Sequence, residues 1–173
     1  MIKNNMLNIW FRPNVFIFFP MGFASGLPLL LTSSTLGIWL ADYGIDRTTI
    51  ALFSLVGIPY AFKFLWAPFV DQLRLSFLNK KFGQRKSWIL LSQLALIILV
   101  AMMALIDIRN DTFLVALLAF LIAFVSATHD IAIDAWRIEI NNKEELGVGA
   151  AMYVSGYRIA LLVAGAGALI IAD

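Results

Sequence analysis

The chain has 173 residues, of which 61% are hydrophobic and 14% charged, with a formal net charge of +2 and a mean hydropathy of +0.87. A soluble domain is about half apolar and about a quarter charged, so these values exclude one and point to a lipid environment. With no cysteine and a single histidine, His129, disulfides, thiolate metal sites, cysteine nucleophiles and His-rich metal clusters are excluded too.

The N-terminus is short and polar, with Lys3 and Arg12. The apolar stretch after it runs over residues 15–41, well past a signal-peptide core and without a small-residue cleavage site. It reads as an uncleaved first span, overlong for the roughly 20 residues a crossing needs. Pro28, preceded by Gly22 and Gly26, is predicted to kink or tilt it. Beyond the joint DYGIDR (42–47), a second span is predicted over 49–70. The basic joint DQLRLSFLNKKFGQRK (71–86) leads to a third over 87–106. DIRND (107–111) precedes a fourth over 112–135, and RIEINNKEEL (137–146) a fifth over 147–172. The expected fold is therefore an all-α membrane protein, with five transmembrane helices in one integral domain over residues 1–173. Long apolar runs, and not alternating strands, set a β-barrel aside.

Orientation follows from the basic residues. With the N-terminus cytoplasmic, that side holds Lys3, Arg12, Arg74, Lys80, Lys81, Arg85, Lys86, Arg137 and Lys143, against Arg47 and Arg109 outside. Such a bias obeys the positive-inside rule and puts the C-terminus on the outer face.

Several ionisable residues nevertheless fall within the spans. A charge at mid-bilayer costs roughly 2.5–3.5 kcal/mol on insertion scales, so such groups face the bundle interior or a wet cavity. Arg158 lies deepest, about 16 Å into the fifth span at 1.5 Å per residue, and suits either a tie between helices or a grip on an anion. Asp130 and Asp134, in SATHDIAIDAWRIE (126–139), are four apart and share a helix face. Two carboxylates on neighbouring turns in low dielectric resist ionising together, so one can hold and release a proton, as a proton-coupled carrier requires. Arg137 follows Asp134 by three and is placed to neutralise it, which makes a structural ion pair the competing reading there. Lys63, in PYAFKFLWAP, is close enough to the cytoplasmic edge to snorkel. His129 points about 100° away from Asp130 and reads as a passive polar contact before a proton relay. Tyr153 and Tyr157, just ahead of Arg158, either pack or line a sugar-sized cavity. The glycines and alanines of the fifth span are packing residues.

An enzyme fits poorly. The D-x-x-x-D spacing also holds Mg²⁺ in membrane transferases, but further aspartates in register are absent here. No G-x-S-x-G nucleophile and no phosphate-cradling glycine loop is present. Neither a metal nor a nucleic-acid partner is expected; the lipid bilayer is.

Four blocks carry a resemblance: GFASGLPLLLTSSTLGIWL in the first span, LFSLVGIPYAFKFLWAPFVD in the second, ATHDIAIDAWR in the fourth and GAAMYVSGYRIALLVAG in the fifth. Together they resemble the AmpG muropeptide permeases of the major facilitator superfamily, which are related to the acetyl-CoA transporters. Asp71 followed by GQRK (83–86) resembles that superfamily's inner-face signature. The resemblance implies a cytoplasmic gate of Asp71, Arg85 and Lys86, joined by Arg137. Gln84 stands where a basic residue is usual, and His129 where these permeases have glutamine.

The function so implied is import of anhydro-muropeptides across the bacterial inner membrane for peptidoglycan recycling, with a proton as coupling ion and no other cofactor. Asp130, Asp134, Arg158, Lys63 and Tyr157 would form the proton and substrate pathway. The family uses two six-helix halves that rock about the substrate. Five spans correspond to an incomplete N-terminal half, which a separately encoded C-terminal portion would complete. The five-span chain alone is expected not to transport. The alternatives are a non-transporting membrane remnant and a carrier of another anionic solute such as acetyl-CoA.

Overall fold

The computed structural model describes residues 9–108, 111–167 and 170, without the side chains of Ser76 and Phe77. Lys3, Arg109, the predicted span residues 168, 169, 171 and 172, and the terminal Asp173 lie outside the described residues. Five helices are long and apolar enough to cross a membrane: Pro13–Asp42, Arg47–Leu65, Gln84–Ala104, Thr112–Ile140 and Leu146–Gly167. They are called here the first to fifth spans. The described residues contain no strand.

Each predicted span is present, with ends that differ for local reasons. The first starts at Pro13, where a missing N–H costs nothing. Pro28 does perturb it: the Thr32 hydroxyl turns back to the Pro28 carbonyl at 2.7 Å, and the next turn, Leu31–Thr35, is π-helical. The chain then reverses through Gly44, whose φ of +77° suits glycine. Asp46 caps the second span by accepting the Thr49 N–H at 2.9 Å.

The second span, predicted as one helix to residue 70, is broken. Tighter turns occupy Phe53–Gly57 and Lys63–Leu65, and Ala67–Gln72 is a separate helix. Pro59 and Pro68 explain this, because each removes a helical donor and crowds the residue before it. A short helix, Ser76–Phe82, follows, and Gly83 (φ +79°) turns the chain into the third span. The fourth span runs on to Ile140, five residues past its predicted end at 135. Ala135 to Ile140 are helix-compatible residues at the water boundary, and nothing there breaks the helix.

The fourth span is the axis of the bundle. Val115, Ala119, Ile122, Ala123, Ala127, Ala132 and Ile133 are fully or almost fully buried. Its outer half packs with Leu36, Leu40, Phe53, Val56 and Ile108, and its inner half with Phe18, Val70 and Ile89. In lipid no hydrophobic drive pulls helices together, so close packing must do it. The first and fifth spans achieve it with glycine. A Cβ on Gly156 would stand 1.9 Å from the Phe19 carbonyl oxygen, and one on Gly22 2.0 Å from that of Tyr153. The seam is fastened by Thr35 Oγ1 donating to the Ala164 carbonyl at 2.8 Å and by Arg12 against Glu145 at 2.6 Å. Arg12, Asp71, Arg85, Glu139 and Glu145 are paired at one end of the bundle. The joints at that end, 71–86 and 137–146, also carry most of the basic residues of the chain.

Candidate functional site

The second, fourth and fifth spans line an open cavity of about 480 Å³. Lys63, Asp130, Asp134, Tyr153, Tyr157 and Arg158 line it, with Val154 and Leu161 as apolar floor. The helix break at Lys63–Leu65 sets Lys63 at its edge. The four-residue spacing of the aspartates aims both at it from one face of the fourth span. The Tyr153 hydroxyl donates to Asp130 Oδ1 at 3.2 Å, and its ring lies 6.2 Å from that of Tyr157, tilted by 30°. Asp130 is 8% exposed. Asp134 pairs with Arg137 at 3.1 Å, as their spacing allowed. Neither Lys63 nor Arg158 forms a direct ion pair among the described residues.

All five residues assigned to the pathway from the sequence thus meet in one cavity. The tyrosines do both things weighed for them: they pack on each other and they line the space. His129 is fully buried and turns away from the cavity, its Nδ1 3.2 Å from Ser25 Oγ on the first span. Ser25 escaped the sequence reading, although a serine amid GFASGLPLL in an apolar span was a signal that a polar partner faces it. Arg158 is exposed although it belongs to a span. The cost of a lipid-facing guanidinium means that this face meets water or other protein.

A second cluster sits at the basic end. Arg85 reaches Asp71 Oδ1 with Nη1 at 2.5 Å and Glu139 Oε1 with Nε at 2.8 Å, and so ties the helix Ala67–Gln72 to the ends of the third and fourth spans. Gln84 donates its side-chain amide to the Asp71 carbonyl, so this position keeps a contact to the helix Ala67–Gln72 without a charge. Lys86 lies 5.5 Å from the centre of the Trp136 ring, a cation–π contact, and pairs with no carboxylate among the described residues. Arg137 is turned to Asp134 and stands apart from the Arg85 cluster. Glu139 and Glu145 were missed because their partners, 54 and 133 residues away, leave no local spacing to read. Arg12 holds the Glu145 carboxyl below its usual range by direct hydrogen bonding. Among the described residues no group of three or more His, Asp or Glu side chains could hold a metal ion.

Residues 14–172 match the family model described as acetyl-coenzyme A transporter 1. The chain is 44% identical over 172 residues to the anhydromuropeptide permease of Escherichia coli (strain K12), covering 99% of this chain and 34% of that one. It is 40% identical over 164 residues to the transporter named AmpG 1 of Rickettsia felis, covering 95% and 36%. An uncharacterized protein of Haemophilus influenzae is 46% identical over 144 residues, covering 83% and 33%. The chain thus spans about a third of the length of the curated relatives it matches. These relatives are transport proteins where they are named for an activity, and none bears an enzyme's name. With its five apolar spans, this chain is a multi-pass inner-membrane protein, and it belongs to the acetyl-coenzyme A transporter family, as its resemblance to the AmpG muropeptide permeases implied.

Proposed function

We propose that the chain forms part of a proton-coupled carrier that brings anhydro-muropeptides across the bacterial inner membrane for peptidoglycan recycling. The observation that carries this reading is the cavity with two cations that form no ion pair among the described residues, Lys63 and Arg158, facing a carboxylate pair and two tyrosines. A muropeptide is an amphiphilic sugar-peptide with carboxylates. Lys63 and Arg158 would take its anionic groups, and Tyr157 would stack on its sugar or peptide face. Asp130, buried and hydrogen-bonded by Tyr153, would carry the proton, and Asp134 would share the load with Arg137. One proton falling through 100 mV supplies about 2.3 kcal/mol. Asp71, Arg85 and Glu139 would act as the cytoplasmic gate, breaking and re-forming as the bundle moves, with Lys86 next to Arg85 in the chain and Arg137 held on Asp134 instead. Labelled anhydro-muropeptide uptake tests the reading, in cells that lack their own permease and express this chain joined to the remaining two thirds of a relative. Uptake that falls when Arg158 or Lys63 is neutralised supports it, and uptake indifferent to both overturns it.

A second cargo is favoured by the family model, whose description names acetyl-coenzyme A. That molecule is also an anion with an apolar tail, and the same two cations suit its phosphates. Competition decides: excess acetyl-coenzyme A leaves muropeptide uptake unchanged if the first cargo is right.

A further inference from the structure

The joint over residues 71–86 holds Arg74, Lys80, Lys81, Arg85 and Lys86 against one acid, Asp71. Where it meets the end of the fourth span, Phe82, Arg85, Lys86, Trp136 and Glu139 line an open pocket of about 240 Å³. A water's share of liquid is only about 30 Å³, so there is room for a phosphate group. The carboxylate of the lining, Glu139, is engaged by Arg85 Nε at 2.8 Å. The lysines are not so engaged. Lys86 lies 5.5 Å from the Trp136 ring centre, Lys81 lies 5.3 Å from that of Phe82, and neither forms an ion pair among the described residues. A ring face attracts an ammonium but leaves its N–H donors to a stronger acceptor. The pocket thus offers surplus positive charge where the bundle leaves the lipid. The fourth span, Thr112–Ile140, has 29 residues and is about 43 Å long at 1.5 Å per residue. The hydrocarbon core is about 30 Å thick, or about 40–45 Å with its headgroups, so Trp136 and Glu139 near the helix end stand at headgroup depth.

We propose that this pocket binds the headgroup of an anionic phospholipid, with its phosphate on Lys86 and Lys81. Charge complementarity selects the headgroup: a net-negative one answers the free lysines, whereas a zwitterionic one brings an ammonium that they repel. Basic pockets between spans at the basic face of a membrane protein recognise anionic headgroups in this way. The tails distinguish a lipid from a soluble phosphate. Leu91 and Leu94, five and eight residues past Lys86 on the third span, are 40% and 59% exposed and about 8 and 12 Å deeper in the bilayer. Acyl chains hanging from the pocket lie along them. Arg85 keeps its bonds to Asp71 and Glu139 and adds to the local charge without serving as a ligand. The site needs no cargo, so it stands apart from the transport reading.

Native mass spectrometry of the purified chain in detergent, titrated with dioleoyl phosphatidylglycerol or dioleoyl phosphatidylcholine, tests for the site. Phosphatidylglycerol is expected to stay bound where phosphatidylcholine does not. Lys86→Gln and Lys81→Gln each weaken phosphatidylglycerol binding about fivefold, the effect of one cation near an anionic lipid surface. Both side chains are exposed, so neither change disturbs the core. Lys86→Arg keeps the charge and retains binding. Lys143→Gln removes an exposed cation of the joint over 137–146, outside the pocket, and leaves binding unchanged. Equal binding of the two lipids overturns the site. So does a loss in Lys143→Gln as large as that in Lys86→Gln, which would mark a diffuse attraction. Displacement of the bound lipid by an equal concentration of glycerol 3-phosphate overturns the lipid assignment, since a tailless anion would then suffice.

Discussion

Replacing Gly156 with alanine should pry the first and fifth spans apart. The added Cβ would stand 1.9 Å from the Phe19 carbonyl oxygen, against an ordinary contact of at least 3.4 Å. The obstacle is backbone, so no side-chain rotation relieves it, and the helices must part by about 1.5 Å. Overpacking of this kind costs about 1–3 kcal/mol. Here the loss spreads along the seam, because Gly22 against Tyr153 and Gly26 against Tyr157 depend on the same approach. Tyr153 moves with its helix, so its 3.2 Å bond to Asp130 is disturbed as well. Unfolding of the purified chain in mixed micelles measures the cost, with Gly57→Ala as control. Gly57 sits in the second span with nothing within 4 Å of its would-be Cβ, and that substitution should stay within about 0.5 kcal/mol of the parent. If Gly156→Ala proves as stable as Gly57→Ala, the glycine seam does not hold these spans together.

Arg85→Ala should destabilise the basic end by about 1 kcal/mol, since its partners Asp71 and Glu139 are 47% and 51% exposed and well screened. Arg85→Lys should recover little of it, because one ammonium cannot serve two carboxylates as Nε and Nη1 do; double-mutant cycles with Asp71 and Glu139 measure both contacts. Asp46 is held below the usual carboxylate range by the Thr49 hydroxyl and amide. Its folded pKa is depressed, so its contribution is whole above the unfolded value and is lost as pH falls through the folded one. The protection factor of the Thr49 amide, taken against its intrinsic exchange rate at each pH, should therefore fall on acidification in the parent and stay flat in Asp46→Asn. Thr35→Val should cost about 0.6 kcal/mol, the average for a hydrogen bond between membrane helices, seen as a lower unfolding midpoint.

Hydropathy alone located all five spans, because a run of apolar residues long enough to cross lipid has few other uses. Prolines were less legible. Pro28 was read as a kink and produced a π-helical turn, whereas Pro59 and Pro68 were passed over inside an apolar run and broke the second span. The fourth span outran its expected end because charged residues at the water boundary are no obstacle to a helix. At the cavity, unusual residue type was the signal: Lys63, Asp130, Asp134 and Arg158 stood out because lipid penalises them. Ser25 did not, since hydroxyls in a membrane helix are common and usually bond their own backbone. What the sequence could not convey was partnership across the bundle. Arg85 with Glu139 and Arg12 with Glu145 are local strangers brought together by the fold.

The account stands on the charged face opening to water or protein and not to acyl chains. The chain has no cysteine, so single cysteines report one place at a time. Arg158→Cys should react with a charged, membrane-impermeant thiol reagent when the chain is in nanodiscs, and the fluorescence of a label placed there should be quenched by iodide. Ile97→Cys, 66% exposed on the third span, should resist the reagent and be quenched by lipid-borne nitroxide. An Arg158→Cys that behaves like Ile97→Cys would contradict the account.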